Sequence, residues 1–196
     1  MPRQRHLPTR PSASRRAGAA RTPSAAGAAG LAIWLAASAA CAPPSLAPSW
    51  TDVDRLIADS YPDVPQMTTA RLAETLDAGR RPVVLLDVRE AEEYSVSHLP
   101  AAHHAPSVDA ALRIVRESPP DAVVVAYCSV GVRSSALAAR LRKRGVAEVH
   151  NLQGSLFAWA NEGRPVYRGP TRVAVVHPFD AHWGTLLETE LHGRAP

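Results

Sequence analysis

The sequence predicts an α/β fold, a parallel sheet flanked by helices on both faces, and three observations predict it. Short β-branched apolar runs at 82–87, 122–126 and 148–152 read as buried strands. Segments with apolar residues at helical spacing lie between them. Strands alternating with helices argue for a parallel sheet with right-handed crossovers.

Each element has its own signal. In 50–57, Trp50, Val53, Leu56 and Ile57 fall on one side of a short helix. Tyr61-Pro62-Asp63-Val64-Pro65 is a turn-rich crossing. Thr68 or Thr69 caps a helix through Leu72, Leu76 and Ala78, which Gly79 stops. The strand at 82–87 carries Asp87 and Arg89 at its carboxyl end, and 90–94 follows as a short helix. In 108–117, Ala111, Leu112 and Val115 form the inward face of an amphipathic helix, ended by Pro119-Pro120. A helix at 134–144 buries Leu137, Ala138 and Leu141 and is stopped by Gly145. The strand at 148–152 leads into a last helix at 154–161, with Phe157 and Trp159 read as core and lip of the site. Beyond it, 172–176 is an extra apolar run, and Trp183, Leu186, Leu187 and Glu190 predict a helix over 183–191.

The turn Tyr127-Cys128-Ser129-Val130-Gly131-Val132-Arg133-Ser134 joins the second strand to its helix, and it suits an anion. Gly131 lets the chain curl where a Cβ would clash. A tight loop feeding a helix turns successive N–H groups inward, and the helix dipole adds positive charge there. Arg133 adds a full charge if it folds toward the loop. Each effect favours thiolate over thiol, so Cys128 is expected to ionise below the ordinary thiol range and to act as a nucleophile. That chemistry requires the sulfur to be ionised and reachable inside a collar of main-chain amides.

Strand, Cys-x-x-Gly-x-Arg-Ser and helix resemble the active-site loop of the rhodanese (sulfurtransferase) family. Leu85-Leu86-Asp87-Val88-Arg89-Glu90, Glu92-Glu93-Tyr94 and Ser97-His98-Leu99-Pro100 resemble an upstream segment of that family. Val149 to Trp159 resembles its last segment. The resemblance implies a rhodanese-like domain over 66–168. Composition adds an expected signal (1–41) and a tether with N-terminal extension (42–65) before it, and a C-terminal extension (169–196) is expected to pack on the domain. The resemblance also implies sulfur transfer through a persulfide on Cys128, with Ser129, Val130, Gly131, Val132, Arg133 and Ser134 as the loop and no cofactor. Asp87 is expected to orient that loop, through Arg133, and Arg89 to be a structural ion-pair partner, of Glu93. Ser97 and Ala101 stand where the family pattern has glycines.

Charge and cysteine content narrow the partners. The 196 residues carry a net charge of +4, but six of the 22 Lys and Arg residues (Arg3, Arg5, Arg10, Arg15, Arg16 and Arg21) lie ahead of the first acid, Asp52. Without them 16 basic residues face 18 acidic ones, a net of −2, and no basic patch with interleaved aromatics remains, so no nucleic-acid partner is expected. The basic stretch precedes an Ala-rich apolar segment at 25–40 that is short for a membrane span. This predicts export. Cys41 after Ser38-Ala39-Ala40 resembles a lipoprotein signal, in which case Cys41 would anchor the chain to a membrane facing the periplasm; cleavage by an ordinary signal peptidase is equally open. Cys41 and Cys128 are the two cysteines, so loss or lipidation of the first leaves the second unpaired. His98, His103 and His104 match no zinc spacing, and His98 is read as a packing and hydrogen-bonding residue. His177 and His182 are read as structural, with the mouth of the site as the alternative.

The expected partners are a small sulfur donor or a persulfide-bearing protein, and a thiol acceptor. Arg133 is the loop's one charge, which turns the expectation from thiosulfate toward polysulfide or a protein persulfide. Two alternatives stand beside the enzyme: a non-catalytic binding or redox-sensing module, and a phosphatase. Tyrosine-phosphatase-type sites place one residue more between Cys and Arg, so this cradle should be small for phosphate.

Overall fold

The computed structural model describes residues 47–194. The expected signal, with Cys41, and the first residues of the tether lie outside the described residues. Five strands run parallel in one sheet: β1 (Gln66–Met67), β2 (Val83–Asp87), β3 (His103–His104), β4 (Val123–Tyr127) and β5 (Val149–Leu152), in the order β1-β5-β4-β2-β3. β1 and β3 are two-residue edge strands, too short to show a period of two.

The period-2 alternation of β4 divides the interior into two cores. Val123, Val125 and Tyr127 face one side with Leu85 of β2, under α1 (Trp50–Ser60), α2 (Thr69–Ala78) and α6 (Ser155–Asn161), which contribute Val53, Ile57, Leu72, Leu156 and Phe157. Val124, Ala126 and Cys128 face the other side with Val84 and Leu86, under α4 (Val108–Glu117) and α5 (Val132–Lys143), which contribute Ala111, Leu112, Leu137, Ala138 and Leu141. The sheet is therefore covered on both faces, as expected for strands with continuous apolar runs. Asp87 pairs in register with Tyr127, so Asp87 and Cys128 leave the sheet on one rim.

Local signals fixed most boundaries. Thr68, not Thr69, caps α2, its hydroxyl accepting from the Arg71 N–H at 3.1 Å, and Gly79 closes that helix at φ +57°. Ser49 and Asp52 form a reciprocal capping box on α1. Leu56, read as inward, is 42% exposed, while Val53 and Ile57, with Trp50, face the core. Helix α5 starts at Val132 rather than Ser134, which puts Arg133 in its first turn. Glu90 caps the short helix α3 (Ala91–Val96).

The C-terminal segment departs most from expectation. β6 (Val166–Arg168) and β7 (Thr171–Val173) form an antiparallel hairpin. In place of one helix over 183–191 there are two 3₁₀ turns, Trp183–Leu186 and Thr189–Leu191. Leu187 between them is extended, and the His192 ring nitrogen bonds the carbonyls of Gly184 and Leu187, taking up backbone groups that a helix would use itself. The segment is tied to α6 by the Asn161 side chain, which donates to Leu186 O at 2.8 Å and accepts from the Glu188 N–H at 3.0 Å.

Candidate active site

Cys128 is the first residue beyond β4, and its loop is clamped from below by the start of α6. The Cys128 N–H donates to Ser155 Oγ at 3.2 Å, and the carbonyls of Cys128 and Ser129 accept from the N–H groups of Leu156 and Phe157. Ser155 sits at φ +50° and Gly154 at φ +67°, the bend that lets α6 point its free amides at the loop.

Gly131 makes the return. It has φ +112°, and an added Cβ would meet Ile57 Cδ1 at 3.1 Å and Asn151 Nδ2 at 3.2 Å, so both conformation and space require glycine. The Gly131 N–H donates to Cys128 Sγ at 3.1 Å. The Gly131 carbonyl accepts from the Ser135 N–H at 3.0 Å and from the hydroxyls of Ser134 and Ser135. Ser134 Oγ also lies 2.6 Å from Asn151 Oδ1, and Asn151 in turn donates to Gln66. In the collar, the amides of Gly131 and Ser134 act on the sulfur.

Burial alone would push the Cys128 thiol up. The positive charge of Arg133 and the Ser134 and Gly131 hydrogen bonds outweigh it, and the thiol lies below its ordinary range. The interaction is mutual, a negative sulfur favouring the charge on Arg133. The Arg133 guanidinium forms a two-armed ion pair with Glu93, 2.7 and 2.8 Å, and NH2 also donates to Ser129 Oγ at 2.9 Å. Burial works against the charge on Arg133, but the Glu93 carboxylate more than offsets it. Glu93 is buried, which by itself would raise its carboxyl; Arg133, the Glu90 N–H and the Ser129 hydroxyl hold it below the usual range.

The ion pairs are exchanged relative to expectation. Asp87 does not hold Arg133. It pairs with Arg89, whose Nε donates to Oδ1 at 2.9 Å and NH2 to Oδ2 at 2.6 Å, both side chains being fully buried. Arg89 likewise does not meet Glu93. The reason is spacing: Asp87 and Arg89 flank one tight bend after β2, in which the Arg89 N–H also bonds Asp87 Oδ1 at 3.1 Å, while α3 carries Glu93 to the loop. Arg89 goes on to bond Ser97 O, and its carbonyl bonds His104 Nε2, so this pair braces the β2 exit rather than the sulfur.

A second correction concerns access. Cys128 is 1% exposed: its thiol is held below the ordinary range, but it is not open to solvent as the sequence reading required. The Phe179 ring covers the Arg133 guanidinium at 4.5 Å. Val130 and Ser129 are buried too. Trp159, read as a lip, is buried, with Nε1 donating to Pro165 O at 3.0 Å. His98 packs as read, stacked on Tyr94 at 4.4 Å, with Nδ1 donating to Leu99 O and Nε2 accepting from the Gly169 N–H. Ala101 takes φ +54°, the conformation that a glycine would adopt freely. Neither His177 nor His182 touches the sulfur: His177 Nδ1 accepts from the Phe179 N–H, and His182 packs edge-on against Trp183.

Sequence reasoning missed Glu93 as the partner of Arg133, and Ser155, Asn151 and Phe179 altogether. Glu93 had a signal, since it lies three residues beyond the helix-capping Glu90 and so must face back toward the strand ends. The others act through tertiary contacts that no local pattern reveals.

The comparisons agree with this geometry. The Rhodanese-like domain family pattern matches residues 68–162. A sulfurtransferase of Allochromatium vinosum is 38% identical over 96 residues, 49% of this chain and 84% of that protein. The probable adenylyltransferase/sulfurtransferase MoeZ of Mycobacterium tuberculosis is 34% identical over 100 residues, 50% of this chain; the match spans 25% of that longer protein. Among solved structures, a thiosulfate sulfurtransferase from Pseudomonas aeruginosa superposes with a TM-score of 0.53 at 25% identity, over 64% of this chain and 24% of that one. With a strand-end cysteine, its glycine return and its arginine all placed as in the motif, this chain belongs to the rhodanese-like domain family.

Proposed function

We propose that the protein is a sulfurtransferase that carries sulfane sulfur on Cys128 and passes it to a thiol or another nucleophilic acceptor. The observation that carries this reading is the buried sulfur stabilised as thiolate by the Gly131 N–H at 3.1 Å and by Arg133. The thiolate attacks the outer sulfur of the donor; the donor's S–S bond breaks and its electron pair leaves on the inner sulfur. Cys128 then holds a persulfide anion, a longer chain with the same charge. The acceptor's electron pair attacks the terminal sulfur, and Cys128 departs again as thiolate. No net oxidation occurs, and the Gly131 and Ser134 donors serve both states. Sulfurtransferase names among the relatives support the class of reaction.

The test is direct. Purified protein incubated with polysulfide or an organic persulfide should gain one sulfur on Cys128, and cyanide or excess thiol should remove it. A protein that stays at its original mass under every donor overturns the reading.

The 1% exposure of Cys128 favours one competitor, a non-catalytic rhodanese-like module in which the cysteine is structural. In that case Cys128→Ser would leave partner binding intact, and no sulfur would be gained by the parent chain.

A further inference from the structure

Phe179 occupies an unusual place. It stands in the C-terminal segment, beyond the family pattern that ends at residue 162. Its backbone adopts φ +67°, a conformation that bulky side chains rarely take. That conformation is built, not incidental. The Phe179 N–H donates to His177 Nδ1 at 3.0 Å, and the Asp180 carboxylate accepts from the His182 and Trp183 N–H groups at 2.9 and 2.8 Å. The segment that follows is fastened to α6 through Asn161. The turn thus presents an aromatic ring, 39% exposed, to the guanidinium of Arg133. Phe179 thus caps Arg133, the cation whose charge acts on Cys128.

We propose that Phe179 is a specificity-determining residue that closes the Cys128 site to dianionic donors and leaves it to sulfane sulfur borne on a thiol; this rests on the sulfur-carrier reading above. Thiosulfate brings a sulfonate that must be held by free N–H groups of a cation as the S–S bond breaks. In this loop the one cation is Arg133. Both of its terminal nitrogens already point at Glu93 or Ser129, and one face lies under the Phe179 ring. Glu93 also keeps a carboxylate against that cation, which a dianion approaching Arg133 would meet. An organic persulfide delivers its outer sulfur at the end of a slim chain. Its leaving group is a single thiolate sulfur, so it asks less of Arg133. Phe179 thereby turns a family loop toward one class of donor without changing any loop residue.

The test compares Phe179→Ala, Phe179→Leu and Phe179→Tyr with the parent protein, using thiosulfate and the singly charged cysteine persulfide as donors and following sulfur gained on Cys128. Loss of the ring should raise kcat/KM for thiosulfate relative to the persulfide by about 5-fold or more in the Ala and Leu variants, chiefly through KM. Tyr, which keeps the ring face, should retain the parent ratio. An independent measurement avoids any sulfur transfer: alkylation of Cys128 by anionic iodoacetate against neutral iodoacetamide. The same two variants should shift that ratio toward iodoacetate. Unchanged ratios in both measurements, or an equal change for both donors, overturn the role of Phe179. If no variant gains sulfur but the alkylation ratio shifts, the sulfur-carrier reading fails while anion exclusion stands.

Discussion

Glu93 holds Arg133 in a two-armed ion pair, with NH1 2.7 Å from Oε2 and NH2 2.8 Å from Oε1. The carboxylate is 3% exposed and the guanidinium 31%. Removing the acid leaves a cation that can turn partly to water, so the penalty should fall below that of a sealed pair. Glu93→Ala should cost about 2 kcal/mol in urea unfolding. Glu93→Gln, which keeps one acceptor, should cost less. The positioning role is read separately, as a slower gain of sulfur on Cys128 in both variants.

The same pair gives the fold a dependence on acid. The Glu93 carboxyl is held below its ordinary value of 4.5, so the folded state binds its proton less readily than the unfolded chain. Stability from this group is therefore present above that value and is lost as pH falls through the lower folded one. The urea midpoint of the parent should drop as pH is taken from 5 toward 3. That drop should be shallower in Glu93→Gln, where the group no longer titrates.

Arg133 is the largest influence lowering the Cys128 thiol, set against a burial that raises it. Arg133→Gln should remove the first and keep the second. The pH midpoint for alkylation of Cys128 by iodoacetamide should lie below the ordinary thiol range in the parent and rise in the variant. A midpoint that does not move would mean that the amides alone hold the thiolate. Unfolding curves recorded on the same samples separate this from loss of structure.

What could be read in advance divides along a physical line. The strands β2, β4 and β5 and the helix α4 were legible because one-dimensional patterns dictate them: β-branched runs between breakers, and a face at helical spacing. The Cys128 loop was legible because its chemistry is local, a cysteine, a glycine return and an arginine within one turn. The ion-pair partners were not, since Asp87 could reach either arginine on paper. Only the tight bend after β2 and the placement of α3 decide between them. The two 3₁₀ turns were illegible for another reason: apolar spacing fits a helix, and the competing hydrogen bonds come from the side chain of His192, which no backbone periodicity registers.

Gly131 offers a sharper test of the loop. At φ +112°, alanine brings backbone strain of about 1–3 kcal/mol, and its Cβ would press on Ile57 and Asn151 at 3.1 and 3.2 Å. Gly131→Ala should lower the unfolding midpoint accordingly. It should also turn the Gly131 N–H away from Cys128 Sγ, raising the alkylation midpoint and slowing sulfur uptake. Ile57→Val alongside it should recover part of the stability and little of the chemistry, because the space is relieved and the backbone angle is not.

Asp87 separates bracing from chemistry. Its carboxylate and the Arg89 guanidinium are both fully buried, and Arg89 NH1 already lacks a partner. Removing the acid strands a positive charge in the interior, which should cost about 3–5 kcal/mol. Asp87→Ala should accordingly be among the least stable single variants of this chain. Asp87→Asn keeps two hydrogen bonds and should retain the fold at low temperature. In that folded variant the alkylation midpoint of Cys128 should match the parent, because Asp87 makes no contact with Arg133. A midpoint displaced as far as that of Arg133→Gln would show that the brace at the β2 exit reaches the sulfur after all, and would return Asp87 to the role of orienting the loop.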